Sequence, residues 1–104
     1  MPNFEATTQA GTDQVRVTLA GECDLAVRDE LHAVLEAAVR SSPLVVVDLG
    51  PLQFLDSSGV HGLVAAHLQA QSRGGRITLV NPSGAVADVL DITGVGALLG
   101  PVNG

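Results

Sequence analysis

The sequence has 104 residues, of which 46% are hydrophobic, 15% charged and 2% aromatic, and this length suits one compact domain. Eleven acidic residues outnumber five arginines, which gives a formal net charge of −6 and leaves no basic run to neutralise a phosphate backbone. This balance argues against nucleic-acid binding and favours a protein partner with a basic surface. The single cysteine, Cys23, cannot form an internal disulfide.

We expect neither an export signal nor a membrane-spanning segment. Residues 1–10 are polar, and no apolar run approaches the ~20 residues that span a bilayer. We therefore expect a soluble cytoplasmic protein without a membrane span.

Hydrophobic patterning predicts the elements of the first half of the chain. Apolar and polar residues alternate in residues 3–9 and 14–20, which predicts two strands joined as a hairpin at Gly11-Thr12-Asp13. Asp24 can then cap a helix that ends near Ser42-Pro43, and its apolar residues recur at helical spacing at Val27, Leu31, Leu35 and Ala38. Residues 44–49 are nearly all Val and Leu, which is typical of a central strand covered on both faces.

The second half predicts two more helices and two more strands. One helix begins beyond Gly50-Pro51 and stops at Gly74-Gly75, and another follows Asn81-Pro82-Ser83 and closes at Thr93-Gly94. Residues 76–80 and 95–99 are the predicted strands. The resulting order, ββαβαβαβ, predicts a single α/β domain over residues 1–104, with a core of about 4–99 and a mixed, largely parallel sheet packed with helices.

The sequence Asp56-Ser57-Ser58-Gly59 lies between the predicted central strand and a helix start, where open α/β sheets commonly place functional groups. Either serine can cap the helix by accepting a backbone N–H bond, and Gly59 allows another surface to approach closely. Capping explains one serine. It does not explain an acidic residue, two hydroxyls and a glycine together.

The stretch Phe54-Leu55-Asp56-Ser57-Ser58-Gly59-Val60 resembles the signature of the STAS domain in bacterial anti-sigma factor antagonists. The resemblance extends over residues 4–99. Three further segments are similar to the family's turn before the first helix, its buried strand and its late Thr-Gly turn: Leu19-Ala20-Gly21-Glu22-Cys23-Asp24, Val45-Val46-Val47-Asp48-Leu49 and Leu90-Asp91-Ile92-Thr93-Gly94-Val95. Cys23 stands where the family usually has leucine, so we expect it to be buried. Only five residues follow Leu99, so we expect no C-terminal helix of the kind that many members add.

The resemblance implies a regulatory protein that binds an anti-sigma factor with serine kinase activity and so frees a sigma factor. It implies a switch by phosphorylation of the first serine after the aspartate, which is Ser57 here, and its reversal by a serine phosphatase. The chain has no phosphate-binding loop, so we expect no cofactor, and ATP would belong to the partner. We expect the docking face to comprise Glu22, Asp24, Asp56, Ser57, Ser58, Gly59 and His61.

A hydrolase is the enzymatic alternative, because Ser57, His61 and Asp56 supply the residue types of a catalytic triad. The leading glycine of a nucleophile elbow is replaced by Leu55, and Asp56 is poorly placed in sequence to orient His61. We therefore predict a non-enzymatic protein in which His61 is a surface or partner contact. We also expect no metal site, and we interpret both other histidines as partly solvated helix residues: His32 and His67.

A second functional interpretation keeps the family and changes the assembly. A STAS module can be a non-enzymatic subunit of a stress-signalling assembly or of a lipid-transport complex, because one fold serves many functions. The presence of both serines favours the regulatory interpretation.

Overall fold

The computed structural model describes residues 3–100, which are organised by a mixed five-stranded sheet. The strands are β1 (Phe4–Ala10), β2 (Val15–Cys23), β3 (Leu44–Asp48), β4 (Leu52–Leu55) and β5 (Arg76–Val80). The helices are α1 (Arg28–Ser41), α2 (Ser57–Ser72), α3 (Gly84–Thr93) and α4 (Val95–Leu99), and a 3₁₀ turn (Leu25–Val27) precedes α1.

The sheet order is β1-β2-β3-β5, with β4 paired to the end of β2. The predicted hairpin is confirmed, since β1 and β2 pair antiparallel from Phe4↔Gly21 to Ala10↔Val15. The pairs β2–β3 and β3–β5 are parallel and are connected through α1 and α2, as parallel pairing requires a crossover. The predicted α/β class and the mixed, largely parallel sheet are therefore confirmed.

Alternate residues of the sheet supply one face of the core. Val17, Val45 and Ile77 are fully buried in neighbouring strands, and they join one hydrophobic cluster with Leu35 of α1 and Leu63 of α2. This burial of period-two residues against helical residues fixes the register of the strands. It also fixes the position of the loops that follow β2 and β4.

Residues 52–55, for which no strand was predicted, form β4. This strand pairs parallel with the end of β2, whose ladder shifts register between Gly21 and Glu22. Gly21 has a φ of 88°, and a side chain there would collide with the Asn3 carbonyl, so the irregularity requires glycine. The predicted end of the second strand at residue 20 is too early by three residues.

Residues 95–99 form helix α4, so the prediction of a last strand there is wrong, and the element order is ββαββαβαα. Val95 and Leu99 are both buried and four residues apart, which is helical spacing. Gly94, at a φ of 77°, turns the chain directly from α3 into α4. A five-residue apolar run fits a buried strand and a buried helix equally well. The expected lack of a further C-terminal helix concerns residues 101–104, which lie outside the described residues.

Candidate functional site

The turn after β2 and the loop after β4 lie side by side. Cys23 pairs with Leu55 in the parallel ladder, and the Asp56 amide donates a hydrogen bond of 3.1 Å to the Cys23 carbonyl. Glu22 and Asp24 thus lie next to the Asp56-Ser57-Ser58-Gly59 loop. The structure brings the predicted docking residues of both segments to one edge of the sheet.

Asp24 shapes the first of these segments. Its carboxylate accepts a 3.0 Å hydrogen bond from the Ala26 amide and so caps the 3₁₀ turn that leads into α1. A carboxylate is well suited to this position, because the amides at the start of a helix lack partners within the helix. Asp24 therefore caps the 3₁₀ turn and not α1 itself, whose N-cap residue, Val27, makes no side-chain capping bond.

Asp56, not a serine, caps α2, so the expectation that Ser57 or Ser58 accepts the capping bond is wrong. The Asp56 Oδ1 accepts bonds from the Ser58 amide at 3.0 Å, the Gly59 amide at 3.1 Å and the Ser58 hydroxyl at 2.6 Å. A carboxylate outcompetes a hydroxyl here because it carries charge and accepts several bonds at the positive end of the helix. Partial burial alone would raise the pKa of the Asp56 carboxyl, but the bonds from the Ser58 hydroxyl and the Gly59 and Ser58 amides outweigh burial and lower it.

The two serines have different environments. Ser58 is half-buried and donates its hydroxyl to Asp56. Ser57, the first residue of α2, is exposed, and no hydrogen bond within residues 3–100 engages its hydroxyl. Ser57 is therefore the hydroxyl that a second protein reaches more easily.

Gly59 is buried rather than presented to a partner. A Cβ at this position would lie 2.5 Å from Leu55 Cδ1 and 3.0 Å from Cys23 Sγ. The glycine is thus required by packing inside this chain. Cys23 is fully buried, as expected, and burial, followed by the charges of Asp56 and Asp24, raises the pKa of its thiol to about 11.

His61 is exposed on α2 and lines a groove of about 320 Å³ between α1 and α2, together with Arg28 and His32. In the part of the chain that the structure describes, no hydrogen bond joins Asp56, Ser57 and His61, because the Asp56 carboxylate is occupied by the helix amides and by Ser58. The three residue types of a triad are present without the relay that a triad needs.

His67 is buried, so its interpretation as a partly solvated residue is wrong. Its Nδ1 accepts a 3.4 Å hydrogen bond from the Ile77 amide and ties α2 to β5. Burial, with a smaller effect of Arg76, lowers the pKa of His67. His32 is exposed and lies 3.5 Å from a Glu36 carboxylate oxygen.

Two apolar residues at the same edge of the sheet were not identified from sequence. Leu25, next to Asp24, is 66% exposed, and Phe54, which pairs with Glu22 in the ladder, is 45% exposed. Exposed large apolar side chains beside charged groups are typical of protein-binding surfaces. The sequence signal that could have identified Leu25 and Phe54 is their position next to the two acidic segments.

Residues 3–100 contain neither a metal-binding cluster nor a membrane-spanning helix. Within this range, no group of three or more His, Cys, Asp or Glu side chains is arranged to hold a metal ion. Nor does any helix in the range combine the length and apolar composition that a membrane crossing requires.

A family model and a curated relative both match most of this chain. A sequence model of the family described as "Mlab, STAS domain" matches residues 6–100. The chain is 32% identical over 87 residues to the anti-sigma F factor antagonist of Lysinibacillus sphaericus, which covers 81% of this chain and 74% of that protein.

Solved structures are similar over most of the chain. The anti-sigma factor antagonist SpoIIAA in its unphosphorylated form is 26% identical with a TM-score of 0.80, over 89% of this chain and 84% of that chain. The Bacillus cell fate determinant SpoIIAA in the phosphorylated form is 25% identical with a TM-score of 0.72, over 89% of this chain and 86% of that chain. The similarity thus extends over 89% of this chain in both structures.

Proposed function

This chain belongs to the STAS domain family of anti-sigma factor antagonists, and from that membership we propose that it binds an anti-sigma factor and releases the sigma factor held by it. The observation that carries the proposal is the junction of the two loops, where the Asp56 amide donates to the Cys23 carbonyl at 3.1 Å. This junction places the Asp24 turn beside an exposed serine.

The docking face combines charge with apolar surface. Glu22, Asp24 and Asp56 supply carboxylates, and Leu25 and Phe54 supply exposed apolar side chains beside them. Such a face fits a partner with basic residues around an apolar pocket, because buried apolar anchors supply most binding energy and charges steer association. The protein would act as a non-enzymatic transcription regulator in the bacterial cytoplasm.

We further propose that phosphorylation of Ser57 switches binding off. The anti-sigma factor would act as the kinase: the Ser57 Oγ bonds to the γ-phosphorus of ATP, the bond from that phosphorus to ADP breaks, and the hydroxyl proton passes to a base of the kinase. A serine phosphatase would transfer the phosphoryl group to water and restore the hydroxyl. Support comes from the exposure of Ser57, from the engagement of Ser58 by Asp56, and from the solved phosphorylated and unphosphorylated forms of the related SpoIIAA.

Release follows from the size and hydration of the phosphoryl group. Phosphorylation adds about −1.5 to −2 charges and three oxygens to a residue at the centre of the docking face. Closing a packed interface over that group requires its desolvation, which is costly unless every oxygen finds a donor. A contact closed over a serine hydroxyl leaves no space for the three added oxygens, so the modified protein would dissociate.

Capture of partners from lysate of the source bacterium tests this function. The immobilised protein is expected to retain an anti-sigma factor that is identified by mass spectrometry and that gives up its sigma factor on binding. Capture of a transporter ATPase instead, with no anti-sigma factor, supports the alternative STAS subunit and contradicts the proposal.

A charge-matched pair of variants locates the docking face. Asp24→Arg is expected to weaken binding, whereas Asp13→Arg, in the exposed turn at the opposite end of β2, is not. Binding by the unaltered protein should also weaken as salt rises to physiological strength, where the screening length falls to about 8 Å. Equal binding by both variants contradicts the face.

A further inference from the structure

The groove between α1 and α2 opens beside the serine loop. It holds about 320 Å³, and its polar lining residues are Arg28, Asp29 and His32 from α1 and Ser58 and His61 from α2. Three side chains that carry or can carry positive charge therefore border one groove of a chain whose net charge is −6. Only His61 among them is expected in the docking face, and none of the three has been given a role in the phosphorylation switch.

Helix geometry brings one of these side chains to Ser57. Ser57 and His61 are four residues apart in α2, so they lie on the same face with their Cβ atoms roughly 5–6 Å apart. Both residues are exposed. A phosphoryl group on the Ser57 oxygen extends the side chain further, to the distance at which an imidazole N–H donates to a phosphate oxygen.

His61 differs from the other two groove side chains because no acidic side chain among residues 3–100 pairs with it. His32 already lies 3.5 Å from Glu36, and Arg28 has its Nε 3.9 Å from the Asp29 carboxylate. No hydrogen bond or ion pair within residues 3–100 engages His61. The Asp56 carboxylate at the helix start is held by the Ser58 and Gly59 amides, so it does not occupy the imidazole.

We propose that this groove is an internal phosphate-binding site, in which His61 binds the phosphoryl group of modified Ser57. The proposal rests on the proposed switch and specifies its regulation. The imidazolium form of His61 stabilises the phosphate dianion, so the modified loop is held on its own domain and away from the partner. The charged groups that line this groove with His61 are Arg28, Asp29 and His32, and Asp56 lies at the start of the same helix.

A ³¹P NMR titration of the protein with phosphoserine installed at position 57 during translation tests the site. The phosphate of phosphoserine loses its second proton near pH 6, and a neighbouring imidazolium moves that midpoint downward. We expect the midpoint to lie about 0.2–0.4 pH unit lower in the protein with His61 intact than in His61→Gln, the size of an exposed i,i+4 ion pair. His32→Gln is the matched control, because it removes a groove histidine that already faces Glu36, and it should leave the midpoint unchanged.

Equal midpoints with and without His61 overturn the phosphate site, and so does an equal shift in both variants, which would indicate only a diffuse field. Both changed residues are exposed, so amide spectra of the variants should show an intact fold. Because the phosphoserine is installed without a kinase, the titration is independent of the proposed switch. A kinase that ignores Ser57 contradicts the switch, whereas equal midpoints contradict only the groove.

Discussion

Gly59 packs so tightly against Cys23 that a Cβ at position 59 would lie 3.0 Å from the Cys23 sulfur. Cys23 closes β2, and Gly59 is the third residue of α2. The contact therefore sets the spacing between the Asp24 turn and the Ser57 loop. A buried glycine, rather than an exposed one, aligns the two halves of the proposed docking face.

Gly59→Ala is expected to lower the free energy of unfolding by about 1–3 kcal/mol, because the added methyl group overpacks the contact with Cys23 and Leu55. Urea denaturation measures the change. Gly62→Ala is the control: its Cβ would meet only the flexible end of Leu31 at 3.1 Å, and alanine favours a helix by roughly 0.5–1 kcal/mol over glycine. An equal loss in both variants would argue against a specific contact at Gly59.

Asp56→Ala is expected to cost about 1–2 kcal/mol of stability at neutral pH, because it removes the N-cap of α2. Ser57→Ala, which removes no cap, should change stability by less than about 0.5 kcal/mol. The lowered pKa of Asp56 means that its stabilisation is complete above the ordinary value of 3.8 and is lost as the pH falls through the folded-state pKa. Denaturation at pH 7 and pH 3 should therefore show a smaller difference between wild type and Asp56→Ala in acid; a constant difference contradicts the capping role of the charge.

We expect the buried His67 to make the protein less stable in mildly acidic solution. Its pKa is lowered from 6.5 in the folded protein by burial and by Arg76, so the unfolded chain takes up a proton before the folded protein does. The free energy of unfolding consequently falls as the pH drops below about 6.5. Protonation of Nδ1 would also remove the hydrogen bond that this atom accepts from the Ile77 amide. Chemical denaturation from pH 7.5 to 5 should show this slope in wild type and a weaker slope in His67→Gln. Parallel profiles would count against the buried histidine as the cause.

Cys23 should be unreactive while the protein is folded. The thiolate is the reactive species, and a pKa of about 11 together with full burial leaves little thiolate accessible at pH 8. Labelling by a chromogenic disulfide reagent should be slower in buffer than in denaturing urea by roughly a hundredfold or more, as a shift of two or more pKa units implies. Rapid labelling of the folded protein would place the thiol at the surface.

The hydrophobic pattern predicted most elements, because most helices bury one apolar face and most strands bury alternate side chains. Residues 52–55 did not reveal β4, because the strand is short and its pairing depends on the extension of β2 past the bend at Gly21. His67 lies four residues after Leu63 and three before Ala70, on the buried face of α2, so helical spacing indicates its burial; its polar side chain led to the wrong interpretation. In the site, the residue types were evident from the loop sequence, but the choice of Asp56 over a serine as cap required the positions of the amides.

The central claim is that Ser57, and not Ser58, accepts the phosphate that ends partner binding. The most direct measurement incubates wild type, Ser57→Ala and Ser58→Ala with the cognate anti-sigma kinase and ATP, maps the phosphate by mass spectrometry and then measures binding by calorimetry. We predict phosphate on Ser57 in wild type and in Ser58→Ala, none in Ser57→Ala, and binding of the modified protein weaker by roughly tenfold or more, about 1.4 kcal/mol. Phosphate on Ser58 alone, or undiminished binding once Ser57 is modified, would contradict the account.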